Sequence, residues 1–281
     1  MNQPATLSII GCGKVGQTLG RLWHDHHVIE IQDILNRSTA SATDALAFID
    51  AGLVASNYTD LRPADIFLIA APDDQIAACC EALANTDCLS TNSIVFHCSG
   101  ALPSSILQAA SAHGAAIASI HPIRSFAIPE KIIRDFAGTY CGVEGDQRAL
   151  DILTPLFTAI GAQLVVIKSE EKILYHAAAV FASNYLVTLL DTAVQTYGQA
   201  GIPQDVALKM MASLVRETTE NVLKIGPEKA LTGPIARDDV ATVLNQYRAV
   251  SSWNRPYGAL YKQMGKLTVQ LTRRKKKTRN D

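Results

Sequence analysis

The fold is decided by residues 6–16, whose sequence is TLSIIGCGKVG. A mainly apolar, β-branched run is followed at once by the pattern GxGxxG, and residues 15–24 continue with helical spacing. Strand, glycine-rich turn and helix in this order open the βαβ units that bind dinucleotides. The sequence therefore predicts a dinucleotide site formed by Gly11, Gly13 and Gly16.

Each residue type in this motif has a physical reason. Gly11 permits a tight turn, Gly13 lets the backbone approach a diphosphate, and Gly16 allows the helix to pack closely on the strand. Lys14 and Val15 lie at the start of the helix, where unpaired N–H groups and the positive end of the helix dipole attract phosphate. We therefore expect Lys14 and Val15 to contribute to cofactor binding.

The end of the second predicted strand indicates which dinucleotide is bound. An NAD site normally carries Asp or Glu about 20 residues beyond the glycines. Here residues 28–35 are followed by Asn36, Arg37 and Ser38, which offer a guanidinium and two further donors in place of a carboxylate. This favours NADP(H), because guanidinium groups bind phosphate. Asp33 is the alternative, since a strand ending there would favour NAD.

Residues 1–167 alternate between β-branched runs and Ala-rich stretches of helical period. Strands are predicted over Thr6–Ile10, Val28–Leu35, Ile66–Ala71, Ile94–His97, Ala116–Ile120, Thr139–Val143 and Leu164–Ile167, with a minor one near Leu53–Ser56. Helices are predicted over Ser41–Ala51, Asp73–Ala84, Pro103–His113 and Asp146–Ile160. This alternation predicts a doubly wound α/β domain with a parallel sheet.

The strand signals stop at residue 168. Helical-period segments follow over residues 170–200, 204–225, 237–250 and 256–271, and Gly and Pro residues separate them. We therefore predict an all-helical domain over residues 168–272 that completes a substrate cleft, followed by a solvated basic tail over residues 273–281. The first segment is long and apolar, so we expect it to be buried within this domain or in a dimer.

Composition narrows the class of protein. Hydrophobic residues make up 48% and charged residues 18%, which excludes a disordered chain. The formal net charge is -1, and basic residues are concentrated in the tail, so the acidic body is not expected to bind nucleic acid.

We find no signal peptide, no uninterrupted membrane-length apolar run and no CxxC pair, which predicts a cytoplasmic protein without membrane association. The His-rich turn at residues 24–27 is interpreted as solvated, and no metal site is predicted.

Polar residues follow three further predicted strands, at the edge where ligands bind in such sheets. Pro72 and Asp73 follow one, with Asp73 expected to cap the next helix, and Ser99 follows another. These three residues are assigned to cofactor binding. His121 follows the third strand and is the first choice as catalytic residue, because imidazole titrates near pH 7. A capped turn is the alternative interpretation at each of these positions.

The first long helical segment supplies the rest of the predicted catalytic set. His176 and Asn184 lie about 80° apart on a continuous helix, so both can border one cleft. Asn184 is expected either to form a hydrogen bond in the core or to bind substrate. His97 is a third histidine candidate, and Arg124 and Arg237 are candidates for holding an anionic group.

Several stretches together resemble one family. They are GCGKVG, NRS, APDD, HCSGA, SIHPIRSF, YHAAAVFASNYL at residues 175–186 and LTGPIARDD at residues 231–239. They resemble Rossmann-like proteins with a helical C-terminal domain that are provisionally described as NADP oxidoreductases. Relatives include 6-phosphogluconate and β-hydroxyacid dehydrogenases, ketopantoate reductase and pyrroline-5-carboxylate reductase. The resemblance implies NADP binding, a cleft between the domains and a homodimer formed through the helical domain.

One departure from this family affects the mechanism. The β-hydroxyacid dehydrogenases carry a catalytic Lys one turn before an Asn, and Val180 takes that place if Asn184 is the equivalent Asn. Lys172, one turn before His176, is another Lys within reach of the site. We expect hydride transfer between NADP(H) and a small carbonyl, hydroxyl or imine substrate. The alternative is a non-catalytic NADP(H)-binding sensor or scaffold.

Overall fold

The structure is a computed structural model that describes residues 5–277. This part of the chain divides into two compact units at the boundary between Phe181 and Ala182. Every strand of the described residues lies in the first unit, and the second unit is helical. The last strand ends at Val166, next to the predicted domain boundary at residue 167, and most of the following long helix belongs to the first unit.

The first unit is built on one eight-stranded sheet. Its strands are β1 (Thr6–Ile10), β2 (Glu30–Leu35), β3 (Leu53–Ala55), β4 (Ile66–Ile69), β5 (Ile94–His97), β6 (Ala116–Pro122), β7 (Tyr140–Gly145) and β8 (Gln163–Val166). The strand order is β3-β2-β1-β4-β5-β6-β7-β8. This order reverses direction between β1 and β4, which is where doubly wound sheets bind their ligands.

Seven helices accompany this sheet. They are α1 (Lys14–Asp25), α2 (Thr39–Ile49), α3 (Ile76–Ala84), α4 (Gln108–Ala112), α5 (Pro129–Asp135), α6 (Gln147–Ala159) and α7 (Lys172–Ala182). Both faces of the sheet are buried: Leu7 and Ile9 of β1 belong to one hydrophobic core, and Ile10 belongs to a second. Because successive side chains of a strand point to opposite faces and both faces are covered, the strand is mainly apolar.

One pair of strands departs from the predicted parallel arrangement. β6 and β7 are antiparallel, whereas the other neighbouring pairs are parallel. An antiparallel neighbour needs no crossover to the opposite edge, so the connection through α5 stays at the carboxyl edge of β6. The sequence did not predict α5, whose short, mixed segment carries no clear helical period.

The second unit contains α8 (Asn184–Gln199), α9 (Gln204–Ile225), α10 (Pro227–Ala230), α11 (Val240–Trp253) and α12 (Arg255–Lys277). The prediction of one continuous helix over residues 170–200 is wrong, because non-helical backbone angles at Ser183 separate α7 from α8. The expectation of burial is also wrong for the single chain. Val194 is the buried residue of α8, whereas Val187 is 68% exposed.

The helical run Ser169–Gln199 is long enough and apolar enough, at a mean hydropathy of 1.5, to cross a membrane by length and composition alone. Ser183, Asn184 and Thr188 interrupt its apolar residues, so the sequence contains no uninterrupted apolar run of that length. Its first turn nevertheless packs into the α/β unit, where the Lys172 side chain is 1% exposed.

Part of the predicted basic tail is ordered helix. α12 continues to Lys277, Arg274 forms an ion pair with Glu228 at 3.5 Å, and Lys275 donates to the Leu231 carbonyl at 3.2 Å. The predicted tail is therefore helical up to Lys277 and contacts the region around α10, and the Arg274 side chain is 64% exposed, as predicted for a solvated segment. Residues 278–281 of the predicted tail lie outside the described part of the chain.

Candidate functional site

The three glycines that follow β1 occupy three different environments. Gly11 has a φ of +75°, and a Cβ built on it would lie 2.7 Å from the backbone of Ala71. A Cβ on Gly13 would have no atom within 4 Å. A Cβ on Gly16 would lie 3.2 Å from the Ile9 side chain. The turn therefore requires glycine at position 11, leaves open space at position 13 and brings the helix close to the strand at position 16.

The start of α1 offers unpaired backbone donors beside this open space. Gly13 is the N-cap residue, and no side chain caps the helix. Among the described residues, the N–H groups of Lys14 and Val15 have no acceptor, as is usual for a first helical turn. The Lys14 ammonium donates to the Ala127 carbonyl at 2.7 Å, which links the turn to the segment after β6. This cradle fits a diphosphate group.

Asn36 holds the glycine-rich turn in place. Its Oδ1 accepts from the Cys12 N–H at 2.5 Å, and its amide group donates to the Ser41 carbonyl at 3.0 Å and to the Cys12 carbonyl at 3.3 Å. The amide donors are therefore already bonded inside the protein. The expectation that Asn36 is a free donor to the cofactor is wrong, because its side chain is hydrogen-bonded to the backbone of Cys12 and Ser41.

Arg37 remains available to a ligand. It is exposed, and within residues 5–277 its guanidinium has no hydrogen bond or ion pair. Ser38 is the N-cap of α2, and its hydroxyl accepts from the Ser41 N–H at 3.3 Å. Asp33 is 3% exposed and pairs with Arg62 at 2.7 Å, while β2 continues to Leu35. The carboxylate that would have favoured NAD is thus engaged elsewhere.

The residues after β4 are exposed at the same edge of the sheet. Pro72 is the N-cap of a 3-10 turn over Asp73–Gln75, and Asp73 makes no capping hydrogen bond. The prediction that Asp73 caps the next helix is wrong, because the chain enters the turn at Pro72, whose side chain has no acceptor. The Asp73 carboxylate instead stands free of the turn, close enough to act electrostatically on His97 and Lys172.

The turn after β5 is held together by His97 and Ser99. His97 is fully buried, with Nε2 at 3.2 Å from the Pro103 carbonyl and Nδ1 accepting from the Ser99 N–H at 3.1 Å. Burial lowers the pKa of His97 to about 4. The Ser99 hydroxyl accepts from the N–H groups of Ala101 and Leu102 at 3.2 and 3.0 Å. Both side chains are therefore committed to the turn, and neither ring nitrogen of His97 is left for catalysis.

His121 lies at the end of β6 and contacts two residues of α7. Its Nδ1 is 2.9 Å from the Tyr175 hydroxyl, with which it forms a hydrogen bond, and its ring meets those of Tyr175 and His176 edge to face. Burial, together with smaller electrostatic contributions from the neighbouring His176 and Lys172, lowers the pKa of His121 to about 4. Burial also raises the pKa of Tyr175 to about 12. Near pH 7 the pair is therefore a neutral imidazole and a protonated phenol.

Two glycines make room for this cluster. A Cβ on Gly100 would collide with Nδ1 of His176 and would lie 2.8 Å from Nε2 of His121. A Cβ on Gly142 would lie 2.5 Å from the Tyr175 hydroxyl. Nδ1 of His176 is buried and has no hydrogen-bond partner among the described residues. Leaving a buried polar atom without a hydrogen bond costs about 1–3 kcal/mol of stability. Such an atom is typical of a site where a ligand or a water molecule provides the missing hydrogen bond.

A buried ion pair next to this cluster was not predicted. Lys172 is 1% exposed, with Nζ 3.2 Å from Oε1 of Glu144 and in direct contact with the Ser119 hydroxyl. Tyr175 was also missed. The available signal was the spacing of Lys172, Tyr175 and His176, which places all three on one helix face. Their partners depend on the register of β6 and β7, which the sequence does not give.

Two of the remaining candidates belong to the second unit, and a third is paired within the first unit. Asn184 is exposed at the start of α8, in the second unit, so the expectation that it bonds in a core is wrong. Arg124 donates to the backbone and side chain of Asp135 and is committed there. Arg237 is exposed in the second unit. Across residues 5–277, no group of three or more His, Cys, Asp or Glu side chains is arranged to hold a metal.

Comparison with family models supports this description of the fold. Residues 2–122 match a model described as a Rossmann-like domain. The α/β unit has a Rossmann-like fold. Residues 139–268 match DUF2520, a domain of unknown function. The predicted fold class, a doubly wound α/β domain followed by helices, is confirmed.

Solved structures cover nearly the whole chain. Protein TM1727 from Thermotoga maritima is 27% identical, with a TM-score of 0.77 over 96% of this chain and 99% of that one. BF3122 from Bacteroides fragilis, provisionally assigned as an NADP oxidoreductase, is 18% identical, with a TM-score of 0.76 over 95% and 98%. Pyrroline carboxylate reductase from Plasmodium falciparum, solved with NADP bound, is 12% identical, with a TM-score of 0.60 over 94% and 98%.

These likenesses confirm the resemblance recognised from the sequence at the level of the fold. The chain shares its fold with these solved structures. No curated protein matches the sequence.

Proposed function

We propose that the protein is an NADP(H)-dependent oxidoreductase that transfers hydride to or from a small carbonyl, hydroxyl or imine compound. One observation carries this proposal: the phosphate cradle and the histidine cluster lie at the same edge of one sheet. β1, β5 and β6 are parallel, so their carboxyl ends share that edge, and β6 lies three strands from β1. Three strand spacings amount to about 14 Å. A dinucleotide held at β1 and extended along the edge therefore points towards His121.

The residues of the first unit fit such a cofactor at both phosphate positions. The N–H groups of Lys14 and Val15, beside the open space at Gly13, would hold the diphosphate. Arg37 and the Ser38 hydroxyl would hold the 2′-phosphate of NADP(H) at the start of α2. Held by these residues, NADP(H) would supply or accept the hydride.

The cluster at the end of β6 can exchange the proton that accompanies hydride transfer. His121 is held neutral, and its Nε2 faces the Gly100 turn, where it can accept a proton from a substrate hydroxyl or amine. Tyr175 serves either tautomer, because a hydroxyl both donates and accepts at Nδ1. In the reverse direction the same nitrogen returns the proton. The unpartnered Nδ1 of His176 offers a second contact for the same substrate atom.

The test separates binding from turnover. Fluorescence titration with NADPH and NADH measures affinity, and loss of NADPH absorbance with a panel of keto acids and cyclic imines measures turnover. We expect NADPH to bind more tightly than NADH and at least one substrate class to be reduced. Tight NADPH binding with no turnover for any compound would favour the sensor or scaffold alternative. Binding of neither nucleotide would overturn both.

We also propose a cytoplasmic homodimer formed through the helical unit. α8 exposes large apolar side chains, among them Tyr185, Val187 and Leu189 at 55%, 68% and 41% exposure. All six cysteines are free thiols, as in a reducing compartment. Sedimentation analysis should give twice the mass of the 30.2 kDa chain. A Val187→Glu variant should sediment as a monomer, whereas a wild-type monomer would contradict the proposal.

A further inference from the structure

β6 and β7 bring two pairs of residues side by side. In their antiparallel register, Ser119 lies opposite Glu144 and His121 lies opposite Gly142. Alternate residues of a strand share a face, so Ser119 and His121 are on the same side of β6. The face of the sheet that carries His121 therefore also carries the polar pair Ser119 and Glu144, two residues earlier along β6.

α7 lies along this face with matching spacing. Lys172 contacts Ser119 and Glu144, and Tyr175, three residues later, contacts His121 and packs over Gly142. Residues three and four apart share one helix face, so the two contacts belong to a single seam between α7 and the sheet. A shift of α7 that broke the first contact would also move the second.

The first contact is firmly fixed. The Glu144 carboxylate accepts from the N–H and hydroxyl of Ser104 at 2.7 and 2.8 Å and from the Ser169 hydroxyl at 3.0 Å, in addition to Lys172. Lys172 and Glu144 are 1% and 5% exposed. Four donors from three residues thus hold one buried carboxylate, and the Lys172 ammonium connects it to α7.

We propose that Lys172 is a positioning residue, whose ammonium, seated on the Ser119–Glu144 pair, sets the register of α7 so that Tyr175 meets His121. This inference rests on the proposed function of His121 but assigns a separate role. Lys172 contacts no reacting atom. It acts through the position of α7 and through its own charge, which opposes protonation of the nearby imidazole.

Titratable groups of α7 and of the neighbouring strands surround His121. α7 contributes His176, Tyr175 and Lys172; burial is the main cause of the lowered pKa of His121, and electrostatic repulsion from His176 and then from Lys172 lowers it further. The neighbouring strands contribute His97 and, on β7, Cys141 and Glu144, and Asp73 acts on His97 and Lys172 from the end of β4. Removing the ion pair should therefore make His121 easier to protonate.

NMR titration of the His121 imidazole in the full chain tests this inference without cofactor or substrate. The Cε1–H signal is assigned among the seven histidines by its loss in His121→Asn. In the wild type we expect a titration midpoint near 4. The double variant Lys172→Met/Glu144→Gln removes both charges and keeps the side-chain volumes. Its midpoint should rise above that of the wild type, because the positive charge of Lys172 is gone, and the cross-peaks between the Tyr175 and His121 rings should weaken. Lys168→Met, at an exposed lysine one turn earlier, should change neither.

A folded double variant with an unchanged midpoint and unchanged cross-peaks would overturn the inference. If the double variant shows no cooperative unfolding, Ser119→Ala decides, because it keeps the ion pair and removes the hydroxyl beneath Lys172. Weakened cross-peaks between the Tyr175 and His121 rings in Ser119→Ala support the inference, and cross-peaks as strong as in the wild type overturn it. Because no nucleotide is present, this outcome is independent of NADPH binding, whose absence would overturn the proposed function alone.

Discussion

The two ends of the candidate site are built in different ways. At the end of β1 the contacts offered to a ligand are mainly backbone N–H groups beside the open space at Gly13. At the end of β6 they are the side chains of His121 and His176, which pack against the turn at Gly100. His121 is hydrogen-bonded to Tyr175 of α7, and His176 is itself a residue of α7. A short local motif is sufficient for the first arrangement. The second requires one helix and two strands to be in register.

The two ends are therefore expected to control different properties: nucleotide affinity at the end of β1 and proton transfer at the end of β6. Changes at the glycine-rich turn should alter nucleotide affinity and leave the titration of His121 unchanged. Changes along α7 should alter the titration of His121 and turnover, and leave nucleotide affinity unchanged. The following predictions test that separation.

The largest expected effect is at Gly13. Its φ is −83° and a Cβ meets open space, so Gly13→Asp should fold normally, with the free energy of unfolding changed by less than about 0.5 kcal/mol. The new carboxylate would repel the diphosphate, and we expect a loss of about 100-fold or more in affinity for NADPH and NADH alike. Fluorescence titration measures the loss. Gly198→Asp, at an open glycine in α8, is the matched control. Wild-type affinity in Gly13→Asp would remove the diphosphate from this turn.

The next effect distinguishes the two nucleotides. Arg37→Ala removes the exposed guanidinium assigned to the 2′-phosphate, so NADPH affinity should fall about 10- to 100-fold while NADH affinity stays the same. Titration of both nucleotides checks it. An equal loss for NADPH and NADH would contradict the phosphate assignment.

A smaller effect is expected in the histidine cluster. Tyr175→Phe keeps the ring and removes the hydroxyl that bonds Nδ1 of His121 at 2.9 Å. Losing one neutral hydrogen bond should reduce turnover about 10-fold and leave the Kd for NADPH unchanged. Steady-state kinetics with the best substrate measures it, and Tyr140→Phe, at an exposed tyrosine of β7, is the control. Turnover equal to that of the wild type would exclude the Tyr175 hydroxyl from proton handling.

The smallest effect is on stability in mild acid. The pKa of His97 is lowered to about 4 in the folded protein, so the unfolded chain binds a proton first as the pH falls through 6.5. His97 therefore contributes full stability above that pH and loses it progressively down to about pH 4. Between pH 7.5 and 6 the free energy of unfolding should fall by about 1 kcal/mol from this residue. Urea unfolding of the wild type and His97→Gln should show a shallower pH dependence in the variant. Identical slopes would show that His97 titrates normally.

The sequence predicted the first end of the site better than the second. The strand before Gly11 and the helix after it follow from local patterns, and β5 was predicted with its observed bounds. The role of Asn36 differed from the prediction because its partners, Cys12 and Ser41, meet it only in the folded loop. Local spacing cannot show which backbone groups a side chain reaches.

The second end depends on contacts that are distant in sequence. His121 and His176 were predicted from residue type and strand ends, but Lys172 and Glu144 meet only because β6 and β7 are antiparallel. Alternating βαβ patterns favour a parallel sheet, so nothing in the sequence indicated this register. The break between α7 and α8 was missed because Ser183 is compatible with a helix in its local context.

One measurement tests most directly whether a single ligand joins the two ends. The His121 Cε1–H signal is followed by NMR during titration with NADPH and, separately, with adenosine 2′,5′-bisphosphate, which carries only the adenosine half. Both ligands should bind through Arg37 and the start of α2, but only NADPH should shift His121, with the same Kd that fluorescence gives. NADPH that binds and leaves the His121 signal unmoved would contradict the placement of hydride transfer at the end of β6.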